Sequence, residues 1–497
     1  MRGKKHTRHD KKNGAMWNAG PKVKTVFKVW AVVYVALLIL FTGQIIHTDI
    51  LPPKYLYSGL AIAGILSMFI FPLLYFDYIR RNRKIIAAAL SVVLAVVFGV
   101  GTVYLQNTDS FFSQVTTVSA QTRDYYVVVK KDSDYQNVQE LVGRDVGTYM
   151  MTSADYSTAK NTLNSRVKVN MKISDKFSQL DDSLLKGKVD AIFVGQAMYN
   201  MMCEKVKGFK GRTRILYTIR MDVSGGGHTK EVDVTRQAFN IYISGLDTAG
   251  KITETSRSDV NMIVTVNPLT HTILLTSIPR DYQIQLTSYG NANDKLTHTG
   301  IYGIDESVKS VERLMGVNIN YSVKVNYTTV KKLINAIGGV DVVSDYDFVT
   351  HGQAAHYTFR KGKNHLDGAK ALAFARERKS FTDGDVQRNR DQAKVMEAVL
   401  KKATSSTTIL TSYTSILNSI KDYTEINMKG EQIRELVKMQ VSGGYHWKII
   451  KQNLTGTGAY DTCYSSGDYQ VYVMMPLEDT VDQASKKIVR VMDGSVK

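Results

Sequence analysis

Two aspartates in this 497-residue sequence, Asp247 and Asp259, flank a polar loop between two stretches that alternate as strands, residues 239–244 and 261–266. If the strands form an antiparallel hairpin, both carboxylates lie at its loop end and can face each other. Carboxylates that close repel unless a cation lies with them, and oxygen ligands without histidine or cysteine favour Mg²⁺ or Mn²⁺. Taken singly, each acid is more simply an ordinary loop or capping residue.

Charged residues recur at the ends of the next predicted elements. Arg257 lies two residues before Asp259, so the two side chains share a face of extended chain. Arg280 and Asp281 follow the predicted strand 272–278, and strand ends are where α/β sheets commonly build sites. Further candidates along the chain are Lys295, His298, Arg376, Arg378, Asp385, Arg388 and Gln392.

The last group has helical spacing. In a helix that begins near Asp385, this residue shares a stripe with Arg388 and Gln392, and Val395 and Val399 continue the stripe. The polar end of the stripe is then expected to point to a site, while its apolar end packs in the core.

Arg376 and Arg378 share a face if their stretch is extended. A surface ion pair is the simplest interpretation of any single arginine here. Five arginines beside two or three acids, placed at the ends of elements, fit better a clamp for phosphate oxygens.

Three apolar runs precede these residues, at 29–46, 55–76 and 85–105. Each has about the 20 residues that a helix needs to cross the hydrocarbon of a bilayer. None has a polar stripe, so buried core helices are a poor alternative, and a cleaved signal peptide does not explain the second and third runs. The sequence therefore predicts a multi-pass membrane protein.

Flanking charges predict the orientation of the runs. Residues 1–84 hold 14 basic and 3 acidic residues, a net +11 of the +19 total. Most lie in the tail 1–28 and the loop 80–84, whereas the loop after the first run has only Asp49 and Lys54. Cytoplasmic flanks carry the excess of lysine and arginine, so the amino terminus is expected inside and the region after the third run outside the cell membrane.

A basic protein suggests a nucleic-acid binder, but more than half of the net charge lies in residues 1–84, where it is explained by the orientation of the membrane helices. The inside portions are only a 28-residue tail and a short loop, with no room for a helix-turn-helix. No direct nucleic-acid binding is therefore expected.

Composition excludes two further classes. A hydrophobic content of 44% excludes disorder, and Cys203 and Cys463 are too few and too far apart for a disulfide scaffold or a zinc module. The two cysteines either pair across domains or, more simply, remain lone thiols.

Two α/β domains are predicted outside. Strands at 125–130 and 188–195, with a helical stretch at 177–186, indicate a small accessory α/β domain, for which a scaffolding role is the default. Farther on, a helix is predicted over 306–316 and another over 328–338, with Thr328 as its N-cap and Gly338 after its end.

The predicted parts are a tail 1–28, three transmembrane helices in 29–105, an accessory domain 106–222 that begins with a polar stalk, a linker 223–236, and a domain 237–497 with a mixed sheet and a core at 237–402.

Seven blocks, SGLDT, SRSD, SIPRD, DKLTHTGIYG, GGVDVV, LDGAKALAFARER and GDVQRNRDQ, occur in this order between residues 236 and 402. Together they resemble the LytR-CpsA-Psr family. Three spans and an accessory domain ahead of that core are similar to the capsule-type CpsA (Wzg) branch of Gram-positive bacteria. The resemblance implies an apolar groove for polyprenyl-pyrophosphate lipids, with Mg²⁺ at the pyrophosphate.

The resemblance also implies roles for residues. Asp247 and Asp259 match the metal carboxylates, while Lys295 fits the substrate site less firmly. The pyrophosphate-binding arginines are matched by Arg257, Arg280, Arg376, Arg378 and Arg388, and further site positions by Asp385 and Gln392. The chain departs from the commonest family pattern at Tyr302–Gly303–Ile304 and at Gln387, which concerns the local loop shape.

The expected function is transfer of a lipid-linked anionic glycopolymer, capsular polysaccharide first, onto peptidoglycan. A sugar hydroxyl attacks the phosphorus next to the glycan and polyprenyl phosphate leaves, with Asp281 or Asp385 to orient or deprotonate the hydroxyl. One alternative is a non-catalytic membrane receptor that regulates capsule synthesis, and another is simple pyrophosphate hydrolysis. Capsule-assembly proteins are expected as further partners.

Overall fold

A computed structural model describes residues 20–115, 121–149, 153–223, 229–252, 255–351, 356–405 and 415–496. These residues form two compact units. The first lies within Met1–Phe111 and includes Val437–Ser442, and the second lies within Phe112–Leu436 and Gly443–Lys497. Most of the predicted cytoplasmic tail, up to residue 19, and Ser224–Gly227 of the predicted linker lie outside the described residues.

The first unit contains three long helices, α1 (Pro21–Thr48), α2 (Pro53–Tyr75) and α3 (Arg81–Val115). All three are long and apolar enough to cross a membrane, which confirms the prediction of three such helices. The third helix continues to Val115, ten residues past the predicted end of the third span at Leu105. Residues 106–115 contain neither glycine nor proline, so nothing interrupts the helix where the polar stalk was expected to begin.

Two lysines of this unit meet one acid. Lys28 of α1 lies 3.0 Å from Asp77, and Lys84 of α3 lies 3.6 Å from the same carboxylate, which belongs to the loop between α2 and α3. The amino-terminal part of α1 and the loop between α2 and α3 therefore lie at the same end of the helix bundle.

A smaller α/β domain opens the second unit. Its strands are β1 (Gln121–Lys130), β2 (Asp145–Tyr149), β3 (Asn170–Ser174), β4 (Ala191–Gly195) and β5 (Thr213–Val223), and its helices are α4 (Ala154–Arg166), α5 (Leu180–Leu185), α6 (Gln196–Lys205) and α7 (Phe209–Arg212). They form a five-stranded sheet in the order β3-β2-β4-β1-β5, in which β2 is parallel to β3 and β4. The predicted strands over 125–130 and 188–195 are confirmed as β1 and β4, and the predicted helical stretch becomes a 3₁₀ turn followed by α5.

The larger domain follows. Its strands are β6 (Phe239–Leu246), β7 (Ser258–Asn267), β8 (Thr272–Ile278), β9 (Gln283–Leu286), β10 (Ala292–Lys295), β11 (Tyr321–Asn326), β12 (Val340–Ser344), β13 (Phe348–Val349), β14 (Thr358–Phe359), β15 (Gly362–Leu366), β16 (Thr424–Ile426), β17 (Lys448–Asn453), β18 (Gly456–Thr462) and β19 (Gln470–Pro476). Its helices are α8 (Leu296–Tyr302), α9 (Ile304–Met315), α10 (Tyr327–Ala336), α11 (Gly368–Arg376), α12 (Asp385–Ala403), α13 (Gly430–Gly443) and α14 (Glu478–Met492). Of α13, only the residues outside Val437–Ser442 belong to the second unit. The central mixed sheet has the order β16-β11-β6-β7-β8-β17, so the predicted α/β class with a mixed sheet is confirmed.

Strand direction brings three chain segments to one edge of this sheet. Strands β6 and β7 pair antiparallel, as predicted, β8 pairs antiparallel with β7, and β11 runs parallel to β6. The carboxyl ends of β6, β8 and β11 therefore lie at the same edge, where ligands of α/β proteins usually bind. Asp247 follows β6, Arg280 comes two residues after β8, and Tyr327 follows β11.

Two local predictions need correction. The N-cap of α10 is Asn326 rather than Thr328, because the Asn326 side chain accepts hydrogen bonds from the backbone N–H groups of Thr328 and Thr329. Gly338 follows the end of that helix at φ +74°, as predicted. Arg376 is the last residue of α11, so Arg376 and Arg378 do not lie in an extended stretch.

The two α/β domains share a hydrophobic core. Cys463, Val471 and Val473, from the hairpin region β18–β19, pack in the same buried cluster as the strands of the smaller domain. Cys463 and Cys203 are both free, so the structure does not contain the disulfide considered as an alternative. Burial raises the pKa of the Cys463 thiol to about 12, which makes it an inert core residue at neutral pH.

Candidate functional site

A cavity of about 340 Å³, the main cavity, opens at the sheet edge where β6, β8 and β11 end. Helices α10, α11 and α12 enclose it. Its polar lining residues include Asp247, Asp259, Arg280, Tyr327, Arg376, Arg378, Arg388 and Gln392, and its apolar ones include Ile243, Val325, Val330, Leu333, Leu372, Val395, Met396 and Val399. The cavity therefore has a charged part and an apolar part, which suits a ligand with a charged head and an apolar tail.

The stripe predicted on α12 lines this cavity. Arg388 and Gln392 contribute to its polar part, and Val395 and Val399 to its apolar part. Asp385, the first residue of the helix, lies 3.2 Å from Arg388. The predicted helical spacing thus explains how one helix supplies both parts of the cavity.

Arg280 is the centre of an ion-pair network. Its Nη1 donates to Oδ1 of Asp259 at 2.9 Å, and its Nε lies 3.4 Å from Asp281 and 3.8 Å from Asp385. Asp385 also lies 3.8 Å from Arg378. Residues predicted from four separate segments of the sequence therefore meet here.

These contacts change the proton affinities of the network. Burial would lower the pKa of the Arg280 guanidinium, but Asp259, Asp281 and Asp385 outweigh burial and raise it. Burial would raise the pKa of Asp281, but Arg280 and Lys295 outweigh it and lower the pKa, so this carboxylate is ionised at neutral pH. Both charges therefore persist inside the site.

Arg388 is buried with unused hydrogen-bonding capacity. Its side chain is 7% exposed, and within the described part of the chain its Nε and Nη2 atoms have no hydrogen-bond partner. Burial and the neighbouring Arg280 lower its pKa, although Asp385 and Asp259 partly offset this. A buried guanidinium with two unpaired donors is costly in the free protein, and an anion in the main cavity would supply the missing acceptors.

Asp247 lies beside two side chains at the cavity rim. Its carboxylate accepts a hydrogen bond from the hydroxyl of Tyr327, and Arg376 lies 4.0 Å away. The guanidinium of Arg376 also stacks over the Tyr327 ring at 4.0 Å. Burial and the Asp247 carboxylate raise the pKa of Tyr327, which keeps its hydroxyl protonated as the donor.

Asp247 and Asp259 are the carboxylates of the main cavity whose oxygen chemistry can be compared with that of a metal site. Asp247 and Asp259 both line the main cavity. Among the described residues, no group of three or more histidine, cysteine, aspartate or glutamate side chains is placed to hold a metal by itself. Mg²⁺ commonly uses one or two carboxylates and completes its shell with water and substrate phosphates, so this donor pair is compatible with Mg²⁺ or Mn²⁺.

Arg257 and Lys295 line a neighbouring cavity rather than the main one. Both line a second cavity of about 220 Å³, the lateral cavity, together with Arg280 and Asp281. Lys295 lies 3.1 Å from Asp281, while Arg257 pairs at 2.5 Å with Glu204 of the smaller domain. Arg280 lines both cavities, so the two are neighbours around one guanidinium.

His298 also lines the lateral cavity, but it is a buried residue with its own partners. Its Nδ1 lies 2.7 Å from Asp294 and 2.7 Å from the Ser465 hydroxyl. The sequence departs from the commonest family pattern at Tyr302 and Gln387, and both side chains form hydrogen bonds inside the protein. Tyr302 is buried in α8 and donates to Asp294, and the Gln387 amide donates to Asp345 and Asp391.

The sequence prediction missed three residues. Tyr327 could have been found, because it follows the strand β11 and is the first residue of α10, directly after the N-cap Asn326. Glu204 and Tyr472, which line the lateral cavity, had no local signal, because each lies far along the chain from the other site residues.

The fold and the site define an α/β protein with an arginine-lined cavity, preceded by three helices of membrane-spanning length. The chain belongs to the LytR_cpsA_psr family, whose model matches residues 215–486.

Curated relatives and a solved structure are similar to this chain. A protein of Bacillus mycoides named polyisoprenyl-teichoic acid--peptidoglycan teichoic acid transferase TagU is 36% identical over 216 residues, which cover 43% of this chain and 68% of that protein. The protein of the same name from Enterococcus faecalis is 30% identical over 226 residues, which cover 45% and 72%. The crystal structure of TagV from Bacillus subtilis is 27% identical with a TM-score of 0.44, and the match covers 52% of this chain and 98% of TagV.

Proposed function

We propose that this protein transfers a glycopolymer from a polyprenyl pyrophosphate carrier to a hydroxyl group of peptidoglycan. The observation that carries the proposal is Arg388, which is buried with two unpaired donors in a cavity that is apolar on its other side. A lipid with a pyrophosphate head matches both features, because its chain fits the apolar part and its oxygens accept from the arginines. The names of the TagU relatives support transfer to peptidoglycan.

The proposed reaction is a phosphoryl transfer. The oxygen of the acceptor hydroxyl bonds to the phosphorus next to the glycan, the bond from this phosphorus to the bridging oxygen breaks, and polyprenyl phosphate leaves with that oxygen. The hydroxyl proton passes to a carboxylate. Negative charge spreads over the phosphate oxygens in the transition state, where Arg280, Arg378 and Arg388 stabilise it and hold the groups in line.

Asp281 is the carboxylate that we assign to the acceptor hydroxyl. Asp385 lies within 3.2 to 3.8 Å of three arginines, Arg280, Arg378 and Arg388, and lines neither the main nor the lateral cavity. Asp281 lines the lateral cavity next to Arg280. Because its pKa is lowered, it is ionised at neutral pH and accepts a hydrogen bond from the hydroxyl, which orients the attacking oxygen.

Asp247 and Asp259 are the residues we propose to hold Mg²⁺ or Mn²⁺ against the pyrophosphate. A bound divalent cation supplies charge neutralisation for the reacting phosphate. Tyr327 orients Asp247 through its hydroxyl, and Arg280 orients Asp259. Outer partners of this kind fix the direction of a ligating carboxylate.

We propose that the amino terminus lies inside the cell and the two α/β domains outside, where peptidoglycan is. The contacts of Lys28 and Lys84 with Asp77 support this orientation, because they place two basic segments at one end of the bundle. Capsular polysaccharide is the proposed polymer, since three apolar helices and a smaller α/β domain ahead of the family domain resemble the capsule-type branch of the family. Capsule-assembly proteins are then the proposed partners.

Ligation by the full-length protein in detergent tests this function. A labelled glycan on polyprenyl pyrophosphate is incubated with peptidoglycan and Mg²⁺, and label bound to peptidoglycan is measured. The wild type is expected to transfer label, and a variant with Arg376→Ala and Arg378→Ala to lose it. Equal rates for the two proteins would overturn the proposal, and absence of turnover by both would favour a receptor that regulates capsule synthesis.

A further inference from the structure

The lateral cavity is formed by both α/β domains. Its lining residues are Met201, Glu204 and Lys205 of the smaller domain and Arg257, Arg280, Asp281, Lys295, Thr297, His298, Val471 and Tyr472 of the larger one. The first three belong to α6. The smaller domain, for which the sequence predicted only scaffolding, therefore supplies one wall of a cavity next to Arg280.

Three polar contacts hold α6 in this place. At its start, the Gln196 side chain accepts from the Thr255 hydroxyl at 3.1 Å. At its end, Glu204 lies 2.5 Å from Arg257, and Lys205 donates to the backbone oxygen of Gln470 at 2.9 Å. Because both ends of the helix are tied to the larger domain, the wall is fixed relative to Arg280.

The chemistry of the lining suits a polyhydroxyl ligand. Glu204 and Asp281 offer acceptors, while Arg257 and Lys295 offer donors. Each of these two cations already has a carboxylate within 2.5 or 3.1 Å, so the charges are paired, unlike the unpaired nitrogens of Arg388. Paired charges leave a mixture of donors and acceptors rather than a site for a second polyanion.

Tyr472 adds an aromatic surface. It lies on β19 and is 40% exposed, with the Lys295 ammonium 6.0 Å from its ring. An aromatic face offers packing area to the apolar side of a pyranose ring, while the polar groups around it take the hydroxyls.

We propose that the lateral cavity binds the saccharide ring nearest the reacting phosphorus, and that the smaller domain contributes Glu204 to this subsite. This inference rests on the proposed function, because Arg280 joins the subsite to the pyrophosphate. The ring comes either from the donor glycan or from the peptidoglycan acceptor, and both offer the same hydroxyl chemistry.

Equilibrium binding to the full-length protein in detergent tests the inference. The probes are polyprenyl pyrophosphate without sugar, the same lipid carrying one hexosamine, and a soluble disaccharide-peptide fragment of peptidoglycan. The variants are Glu204→Gln and Tyr472→Ala, with Tyr472→Phe as the variant that keeps the ring. Asp124→Asn is the matched control, because Asp124 pairs with Arg220 in the smaller domain and does not line the cavity.

Glu204→Gln removes a charged hydrogen-bond acceptor and Tyr472→Ala removes the aromatic packing surface, and each is expected to weaken one saccharide probe about tenfold, with the sugar-free lipid unchanged. Tyr472→Phe is expected to bind that probe more tightly than Tyr472→Ala, because it keeps the ring, and Asp124→Asn is expected to bind like the wild type. Weaker binding of the hexosamine lipid would show that the subsite holds the donor sugar. Weaker binding of the disaccharide-peptide would show that it holds the acceptor sugar. Unchanged affinity for both saccharide probes, or equal loss of the sugar-free lipid, overturns the inference. A wild type that binds no polyprenyl pyrophosphate overturns the proposed function itself.

Discussion

The guanidinium of Arg280 lies 2.9 Å from the carboxylate of Asp259, and this pair stands where the main and lateral cavities meet. Arg280 follows β8 and Asp259 lies near the start of β7, so the antiparallel pairing of these strands brings the two side chains together. A single cation thus neutralises acids that face both cavities.

Replacement of Arg280 by methionine is expected to abolish transfer and to destabilise the protein. Asp259, Asp281 and Asp385 would lose their shared cation, and an acceptor left without its hydrogen-bond partner in a partly buried site costs about 1–3 kcal/mol. The rate of transfer is expected to fall by at least about 100-fold, as for the loss of a donor that stabilises transition-state charge. Ligation rate and thermal unfolding in detergent measure the two effects.

Arg236→Gln is the control for that variant. Arg236 lies 3.8 Å from Asp233, their side chains are 83% and 45% exposed, and exposed pairs contribute about 0–1 kcal/mol. This variant is expected to unfold and to transfer glycan like the wild type. An Arg280→Met protein with the same behaviour would contradict the central position of Arg280.

Lys295→Met is expected to shift the pH dependence of transfer. Lys295 and Arg280 lower the pKa of Asp281, so removal of one cation lets that pKa rise. The reaction needs ionised Asp281. As the pH is lowered, the rate of the Lys295→Met variant is therefore expected to fall at a higher pH than the rate of the wild type. Lys230→Met, which removes a surface partner of Glu312, is expected to leave the profile unchanged. If the rate of Lys295→Met falls at the same acidic pH as the rate of the wild type, Asp281 is excluded as the titrating group.

Tyr327→Phe is expected to weaken metal binding. The change removes the hydroxyl that donates to Asp247 but keeps the ring on which Arg376 stacks. Loss of an outer partner of a metal ligand typically costs about 10- to 100-fold in metal affinity. Titration with Mn²⁺ followed by electron paramagnetic resonance, in the presence of polyprenyl pyrophosphate, measures this affinity. Equal Mn²⁺ affinity in the wild type and the variant would argue against Asp247 as a ligand.

Val399→Thr tests the apolar part of the main cavity. The substitution keeps the shape of the side chain and adds a hydroxyl that must lose water when a lipid chain packs on it, at a cost of about 1–3 kcal/mol. Affinity for polyprenyl pyrophosphate is expected to fall roughly tenfold, while affinity for inorganic pyrophosphate stays the same. Val489→Thr, at an exposed position of α14, is the matched control. Equal lipid affinity in both variants would place the lipid chain elsewhere.

Local patterns predicted those parts of the site that depend on one or two neighbouring elements. The hairpin that joins Asp247 to Asp259 followed from alternation, and the stripe from Arg388 to Val399 followed from helical spacing. Each is fixed by strand or helix periodicity, which is a property of the sequence itself.

Parts of the site that depend on distant contacts could not be predicted. Arg257 was expected with the other arginines, because the family resemblance matched it to the same pyrophosphate-binding set. It instead pairs with Glu204, a residue of another domain, and faces the lateral cavity. No periodicity encodes how two domains pack, so neither this pair nor the position of Tyr472 had a signal in the sequence.

The path of the solvent oxygen tests the central claim, that the site transfers glycan rather than hydrolyses its carrier. The wild-type protein is supplied with lipid-linked glycan, peptidoglycan and Mg²⁺ in water enriched in ¹⁸O, and the phosphate groups of all products are analysed by mass spectrometry. Transfer to a sugar hydroxyl predicts a phosphodiester on peptidoglycan and polyprenyl phosphate, both without ¹⁸O. Glycan phosphate that carries ¹⁸O, with no label on peptidoglycan, would contradict the claim and identify water as the nucleophile.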